Sequence, residues 1–428
     1  MSKLAIHGGA PVRTRPFPPY RTFDENEMRA VAEVIKGQVI SDFIGAACPY
    51  FLGGKKVREL EERWAAHAGV KHAIAMNSAT SVIIAAMGAF GVGPGDEVVV
   101  TPYSHVISAT APLLYDAVPV FADSEPDTLC VSVESIRRCI TPRTKAMIVV
   151  DLFGQSADMD GIMALAREHG ILVLSDSAHI TKAKYKGRMA GTHAHIGSYS
   201  LNGHKTIQCG EGGIAVTDDD DLALRLQLLR NHAENCVEGF KVANLTNLVG
   251  YNFRMTELEA AVAVEQVKKL DALVDHRRNL AAYLGEKVAG IDGLTPPIVR
   301  PGAEHDYLLF PVLYDEKVVG VGRDEFLRRL DAEGIRTVKV GEEHVPPAST
   351  FVRPIHLLPL FTQKAFRPRG YPWTDPAWTG EVRYGPGVCP VVEELYGSRL
   401  FTLSAVHPPL TEADMDDIAE ALAKVARG

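Results

Sequence analysis

The chain has 428 residues, with 45 Lys and Arg against 53 Asp and Glu, for a formal net charge of -8. That surplus of acid argues against nucleic acid as the main partner, since neutralising phosphates takes clustered cations. No apolar run reaches the ~18 residues of a membrane span, and the start "MSKLAIHGGAPVRTRPFPPY" has no apolar segment of signal-peptide type.

Six cysteines, at 48, 130, 139, 209, 236 and 389, form no C-x-x-C pair, so zinc and thioredoxin-like readings lack their spacing. Scattered cysteines in a long chain fit a reducing compartment, and the expected location is the cytoplasm.

Residues 1–55, rich in Gly, Pro and aromatics, read as an irregular arm that packs on something else. "KKVRELEERWAAHAG" has helical apolar spacing and ends on Gly69. Short apolar runs then alternate with helical patterns. "HAIAM" precedes the helix "SATSVIIAAMGAF", and the turn "GVGPGD" leads into "EVVVT". "KAMIVVDL" leads to the helical "MDGIMALAREHG", followed by "ILVLSD". Strand, helix and strand in repetition predict parallel βαβ units, an α/β sheet covered on both faces.

"TELEAAVAVEQVKKLDALVDHRRNLAAYLGEKV" predicts one long helix or two joined ones, and its drifting apolar spacing is not that of a coiled coil. Beyond it, "YLLFPVLYD" and "RTVKV" read as strands and "RDEFLRRLDAEG" as a helix. The final helix, "TEADMDDIAEALAKVA", opens on a Thr411/Asp414 capping-box pair. The resulting division is an arm (1–55), a large α/β domain (56–255), a connecting helix region (256–289) and a smaller α+β domain (290–428).

One lysine stands out, Lys205 in "SYSLNGHKTIQCGEGG". In Gly203-His204-Lys205-Thr206 a histidine separates glycine from lysine, which removes a P-loop reading. Asp176 closes the apolar run "GILVLSD", at a strand end where ligands of parallel sheets collect. A carboxylate and a lysine in one crevice are the two groups that pyridoxal phosphate needs: lysine for its aldehyde, carboxylate for its pyridine nitrogen. Ser78, Ala79 and Thr80 open a predicted helix, and Ser200 lies five residues before Lys205; these groups suit a phosphate.

The ordered set "SATSVI" (78–83), "GVGPGDEV", "TPYSH" (101–105), "DLFGQSADMD" (151–160), "LSDSAH", "YSLNGHKTIQCGEGG", "LRNH" (229–232) and "GYNFRMTELEAA" (250–261) resembles the DegT/DnrJ/EryC1/StrS family over nearly the whole chain. These are pyridoxal-phosphate sugar and cyclitol aminotransferases of fold type I, the aspartate-aminotransferase fold. The resemblance implies a large domain with a mostly parallel mixed sheet, a smaller C-terminal domain and a homodimer with shared active sites.

Carried onto this chain, the resemblance implies that Lys205 binds the aldehyde and Asp176 pairs with the pyridine nitrogen. It implies that Ser78, Ala79, Thr80 and Ser200 hold the phosphate, and that Asn252 reaches the phosphate of the neighbouring subunit. His179 is expected beside the phenolic oxygen or the ring face, and Asn202 offers a polar group where the family has histidine. The ring-stacking position aligns with His105, and Tyr103 takes that role after a small register change. Tyr103, His204 and His356 are the expected substrate contacts, although His356 reads equally as a structural histidine.

The resemblance leans toward members that pass nitrogen from glutamine or glutamate to a keto-cyclitol such as scyllo-inosose in aminoglycoside pathways. A nucleotide-linked keto-sugar is the alternative acceptor. Another pyridoxal-phosphate reaction (dehydration, epimerisation or oxidation) or a non-catalytic regulator on the same fold also stays open. His193 and His195 lack a third ligand, so no metal is expected. Trp373 and Trp378 read as entrance-lining residues or as packing anchors.

Overall fold

The computed structural model describes residues 3–335 and 352–428. It begins with a departure from expectation. The arm contains a helix, α1 (Glu25–Gly37), started by a capping box between Asp24 and Glu27. Its Ala30 and Val34 are buried with Ala261. After α2 (Lys55–Ala68) come β1 (His72–Met76), α3 (Ala79–Ala89), β2 (Glu97–Val100), α4 (Ile107–Leu114) and β3 (Val118–Phe121). The alternation goes on through α5 (Val133–Cys139), β4 (Thr144–Val150), α6 (Met159–His169) and β5 (Leu172–Asp176). A small hairpin, β6 (Lys184–Tyr185) and β7 (Arg188–Met189), precedes β8 (Ile196–Ser200), β9 (Gly213–Thr217) and α7 (Asp220–Arg230).

Seven of these strands form one sheet in the order β1-β9-β8-β5-β4-β2-β3. β3, β2, β4, β5 and β8 run parallel, while β9 is antiparallel to both β8 and β1. Strands β2, β8 and β9 are buried at every position, as expected where helices cover both faces. One face packs on Ile83, Met87 and Leu226; the other packs on Trp64, Val264 and Met255. Parallel strands bring their carboxyl ends to one edge, and the β5–β8 register places Asp176 opposite Ser198, two residues before Ser200 ends β8.

The long amphipathic segment is one helix, α8 (Glu257–Val288), 32 residues and so about 48 Å. Its first half packs in the sheet's core through Ala260 and Val264. Its second half, through Leu280 and Leu284, builds a separate core with Phe310, Phe401 and Leu422. That second unit contains the antiparallel sheet of β10 (Leu294–Thr295), β11 (Phe310–Tyr314) and, later, β12 (Leu400–Leu403), with β11 in the middle. The helices α9 (Glu316–Val319), α10 (Arg323–Ala332) and α13 (Glu412–Ala426) complete it, whereas α11 (Pro359–Thr362) and α12 (Pro390–Glu394) bury Phe361 and Val392 in the core of the large sheet. The capping box of Thr411 and Asp414 is present at the start of α13. The strand expected at 336–340 lies outside the described residues.

Residues 352–395 fold back along the large sheet. Trp378 donates its indole N–H to buried Glu97 at 3.0 Å, and Trp373 donates to the Tyr384 hydroxyl at 2.9 Å. Both tryptophans are buried and line none of the cavities described, so they are packing anchors. No described helix is long and apolar enough to cross a membrane.

Candidate active site

A cavity of about 370 Å³ opens at the carboxyl ends of β4, β5 and β8. Ser78, Ala79, Thr80, His105, Asp176, His179, Ser200, Asn202, His204 and Lys205 all line it, although they come from four separate chain segments. Asp176 is the last residue of β5 and 4% exposed. Burial pushes its pKa up to about 6, against the pull of the Ala178 N–H (3.2 Å to Oδ1) and of the Lys205 cation. Burial likewise brings Lys205 down to about 8, opposed by the Asp176 charge. The two groups are therefore balanced near neutrality, as a proton-transferring lysine requires.

The loop carrying Lys205 is held by its own backbone. Leu201 N–H donates to Gly212 O at 2.9 Å, Gly203 N–H to Gly210 O at 2.8 Å and Lys205 N–H to Asn202 O at 2.9 Å. Gly210 turns the chain at φ 88°, a conformation costly for other residues. Asn202 donates from Nδ2 to both Glu211 oxygens at 3.1 Å, while its Oδ1 accepts from His204 N–H at 3.2 Å.

The amino end of α3 forms another wall. The Ser78 hydroxyl caps the helix, accepting from Ser81 N–H at 3.1 Å. Its oxygen is thus engaged by the helix itself, and the first-turn N–H groups of Ala79 and Thr80 have no intrahelical acceptor. Gly213 abuts this turn so closely that a Cβ would collide with Ala79 N and the Ser78 carbonyl carbon. Gly213→Ala should therefore lower stability by about 2–3 kcal/mol and weaken phosphate-dependent coenzyme retention, read by urea unfolding and by dialysis.

His179 is oriented from below. Its Nδ1 accepts from Phe153 N–H at 3.1 Å, which puts the ring proton on Nε2. Phe153 holds that N–H in place from a left-handed backbone (φ 58°), a strained state for an aromatic residue. Burial, with the Lys205 charge second, holds the imidazole well below its usual pKa and keeps it neutral.

Two expectations need revision, those for Tyr103 and His356. Tyr103 does not line the cavity: it is fully buried, and its ring packs edge-on against Phe153 at 6.3 Å. His105 is the ring that faces the space. His356 is also fully buried away from the cavity, with Nε2 against Glu393 Oε1 at 2.9 Å, so it is a structural histidine of the 352–395 segment. Asn252 is exposed and outside its own chain's cavity, accepting from Arg254 Nε at 2.8 Å. Ser104, Glu211 and Val352 line the cavity unanticipated. The ring nitrogens of His193 and His195 meet backbone at Tyr185 O and Val173 N–H.

The donor set fits pyridoxal phosphate. A lysine near neutrality would hold the aldehyde, a buried carboxylate would pair with the ring nitrogen, and a helix amino terminus packed on Gly213 would take the phosphate. Fold and site together define a fold type I pyridoxal-phosphate transferase.

Comparison narrows the class: the DegT/DnrJ/EryC1/StrS aminotransferase family model matches residues 24–385, and the chain belongs to that family. It is a pyridoxal-phosphate-dependent aminotransferase of the sugar and cyclitol type. The chain is 33% identical over 373 residues to GDP-perosamine synthase of Caulobacter vibrioides, covering 87% of this chain and 90% of that protein. It is 32% identical over 436 residues to L-glutamine:2-deoxy-scyllo-inosose aminotransferase of Streptomyces paromomycinus, covering 99% and 97%. Among solved structures, DesI in the presence of its TDP-sugar product superposes with a TM-score of 0.78 at 26% identity, over 99% of this chain and 96% of that one.

Proposed function

We propose that the enzyme transfers an amino group from glutamine or glutamate to a keto-cyclitol, in the cytoplasm, as a step toward an aminoglycoside-type product. In this reading Lys205 holds the coenzyme's aldehyde carbon, Asp176 its pyridine nitrogen, and the Ala79 and Thr80 backbone with the Thr80 and Ser200 hydroxyls its phosphate. When bound, the coenzyme supplies an electron sink for the bond that breaks at the donor's α-carbon.

Lys205 Nζ would take the donor's α-proton, and with a pKa of about 8 it has a neutral fraction at physiological pH. It returns a proton in the opposite direction when the ketone replaces the keto acid, giving ping-pong kinetics. Neutral His179 donates from Nε2 without adding positive charge beside Lys205. The functional unit is a homodimer, with Asn252 serving the partner's phosphate. Exposed Phe23, Met28, Ile35, Val39, Ile40 and Leu245 supply apolar surface for that contact.

The observation that carries the cyclitol reading is the cavity's lining. Among the described lining residues Lys205 is the sole Lys or Arg, while Ser104, Asn202, His204 and Glu211 present hydrogen-bonding groups. A polyol matches hydroxyl-directed hydrogen bonds, whereas a diphosphate calls for cations and is repelled by a carboxylate. The near full-length likeness to a scyllo-inosose-type aminotransferase supports the same choice. A second reading, a nucleotide-linked keto-sugar, is favoured by the likeness to DesI and to GDP-perosamine synthase.

Purified holoenzyme should be offered scyllo-inosose, 2-deoxy-scyllo-inosose and TDP- or GDP-linked keto-sugars with glutamine or glutamate. The expected result is a kcat/KM at least about 100-fold higher for a keto-cyclitol. The opposite ranking would establish the second reading and end the first.

A further inference from the structure

Asp151 follows β4 directly and is fully buried, yet it does not line the cavity. Its carboxylate accepts hydrogen bonds from Ala157, Ser175 and Ser177, with the Ser156 hydroxyl a further partner. Oδ1 takes one from the N–H of Ala157 at 3.0 Å; Oδ2 takes one from the Ser175 hydroxyl at 3.0 Å and one from the Ser177 hydroxyl at 2.6 Å. The Asp151 N–H donates in turn to the carbonyl of Asp176 at 3.0 Å.

Side chains alternate along an extended strand, so Ser175 and Ser177 point to the face opposite Asp176. Asp151 therefore grips residue 176 at its carbonyl and through both of its chain neighbours. The same point is tied to the next strand, because Ser177 N–H donates to Ser198 O at 2.8 Å. Among the described residues, the Asp176 carboxylate itself is held by one protein hydrogen bond, from Ala178 N–H to Oδ1. Its aim thus depends on the backbone that carries it. A buried carboxylate is an expensive filler for a space between two serines unless its hydrogen bonds serve a purpose.

We infer that Asp151 is a positioning residue: through Ser175 and Ser177 it fixes the direction of the Asp176 carboxylate, and with it coenzyme retention and turnover. This rests on the reading of Asp176 as partner of the pyridine nitrogen. Misplacing a catalytic contact by about 1 Å costs on the order of 100-fold, so a second layer of hydrogen bonds matters as much as the contact itself. The charged and titratable groups that act on Asp176 are Lys205 and Asp151, and those that feel Asp151 include Cys130 and Tyr199.

The test uses holoenzyme preparations of Asp151→Ala, Asp151→Asn, Ser177→Ala and, as reference, Asp176→Asn. The readouts are the coenzyme dissociation constant, the pH at which the bound coenzyme's visible band changes, and kcat and KM for the donor. Asp151→Ala should bind coenzyme about 10-fold more weakly, shift the band's pH response and lose about 30- to 100-fold in kcat with KM nearly constant.

Ser177→Ala should show the same signature in smaller measure while melting within a few degrees of the parent. Asp151→Asn, isosteric and able to bond both hydroxyls, should recover to within about threefold of the parent. Should Asp151→Ala fail to fold, Ser177→Ala decides. Parental coenzyme affinity and band response in Ser177→Ala, or an Asp151→Asn as deficient as Asp151→Ala, overturns the inference. Should Asp176→Asn behave like the parent, the reading of Asp176 fails first, whatever the Asp151 variants do.

Discussion

Replacing Lys205 by alanine or arginine should lower kcat/KM for amino transfer by at least about 10⁴-fold. Alanine removes the amine. Arginine keeps a cation of similar reach that never gives up its proton, so it can neither hold the aldehyde nor act as a base. The contrast has force because Lys205 alone, in this site, is brought down to about 8 by its burial. Borohydride treatment of the parent holoenzyme should add the coenzyme's mass to the peptide containing Lys205, and mass spectrometry should find no such addition in either variant. Substantial turnover in Lys205→Arg would falsify the assignment.

The second large effect belongs to Asp176, and it has two faces. Asp176→Asn should cost roughly 10³-fold in kcat, because a neutral amide does not keep the pyridine ring protonated. In coenzyme-free protein the same change should be stabilising at pH 8. The folded-state pKa of Asp176, about 6 against an ordinary 3.8, is a raised one. Such a group adds full stability below about pH 4 and loses it as pH rises through 6.

The difference corresponds to about 3 kcal/mol of penalty at pH 8, and removal of the charge recovers part of it. Lys205, losing its counter-charge, offsets some of the gain by giving up its proton more readily. Urea unfolding of the coenzyme-free proteins should therefore show Asp176→Asn ahead of the parent by about 1–3 kcal/mol at pH 8 and level with it near pH 4. A variant less stable than the parent at pH 8 would refute the account. On the proposed role of Asp176, the site stores unfavourable electrostatics that a bound coenzyme would relieve, a common exchange of stability for function.

Much of this site was legible in the sequence because its members sit at marked chain positions. Asp176 ends an apolar strand, Ser78 to Thr80 start a helix, and Lys205 stands before a glycine-rich turn, so each announces both its element and its direction. Tyr103 and His356 were misjudged because they lie on irregular segments, where no period says which face is buried. Tyr103 turned into the core beside Phe153, and His356 turned toward Glu393.

Helix α1 was overlooked although Asp24 and Glu27 stand at capping-box spacing; neighbouring prolines and glycines masked it. Asp151 carried no local signal, since its partners Ser175 and Ser177 come from the next strand of the sheet. Glu257 is similar: its carboxylate accepts from the N–H groups of Lys56 and Val57 at 2.7 and 3.2 Å, capping a helix some 200 residues earlier.

The antiparallel partnership of β1 with β9 sets a timetable for biosynthesis. His72 pairs with Thr217 and Met76 with Gly213, so the edge that ends in the Ser78 turn has no neighbour until Gly213 has left the ribosome and no full pairing until Thr217 has followed. A nascent chain halted before that point has made the Ser78 turn but not the strand it leans on, and the loop to be closed is long. Vitamin B6 therefore cannot template the early chain; it can only be captured once the lysine and its cradle have arrived together.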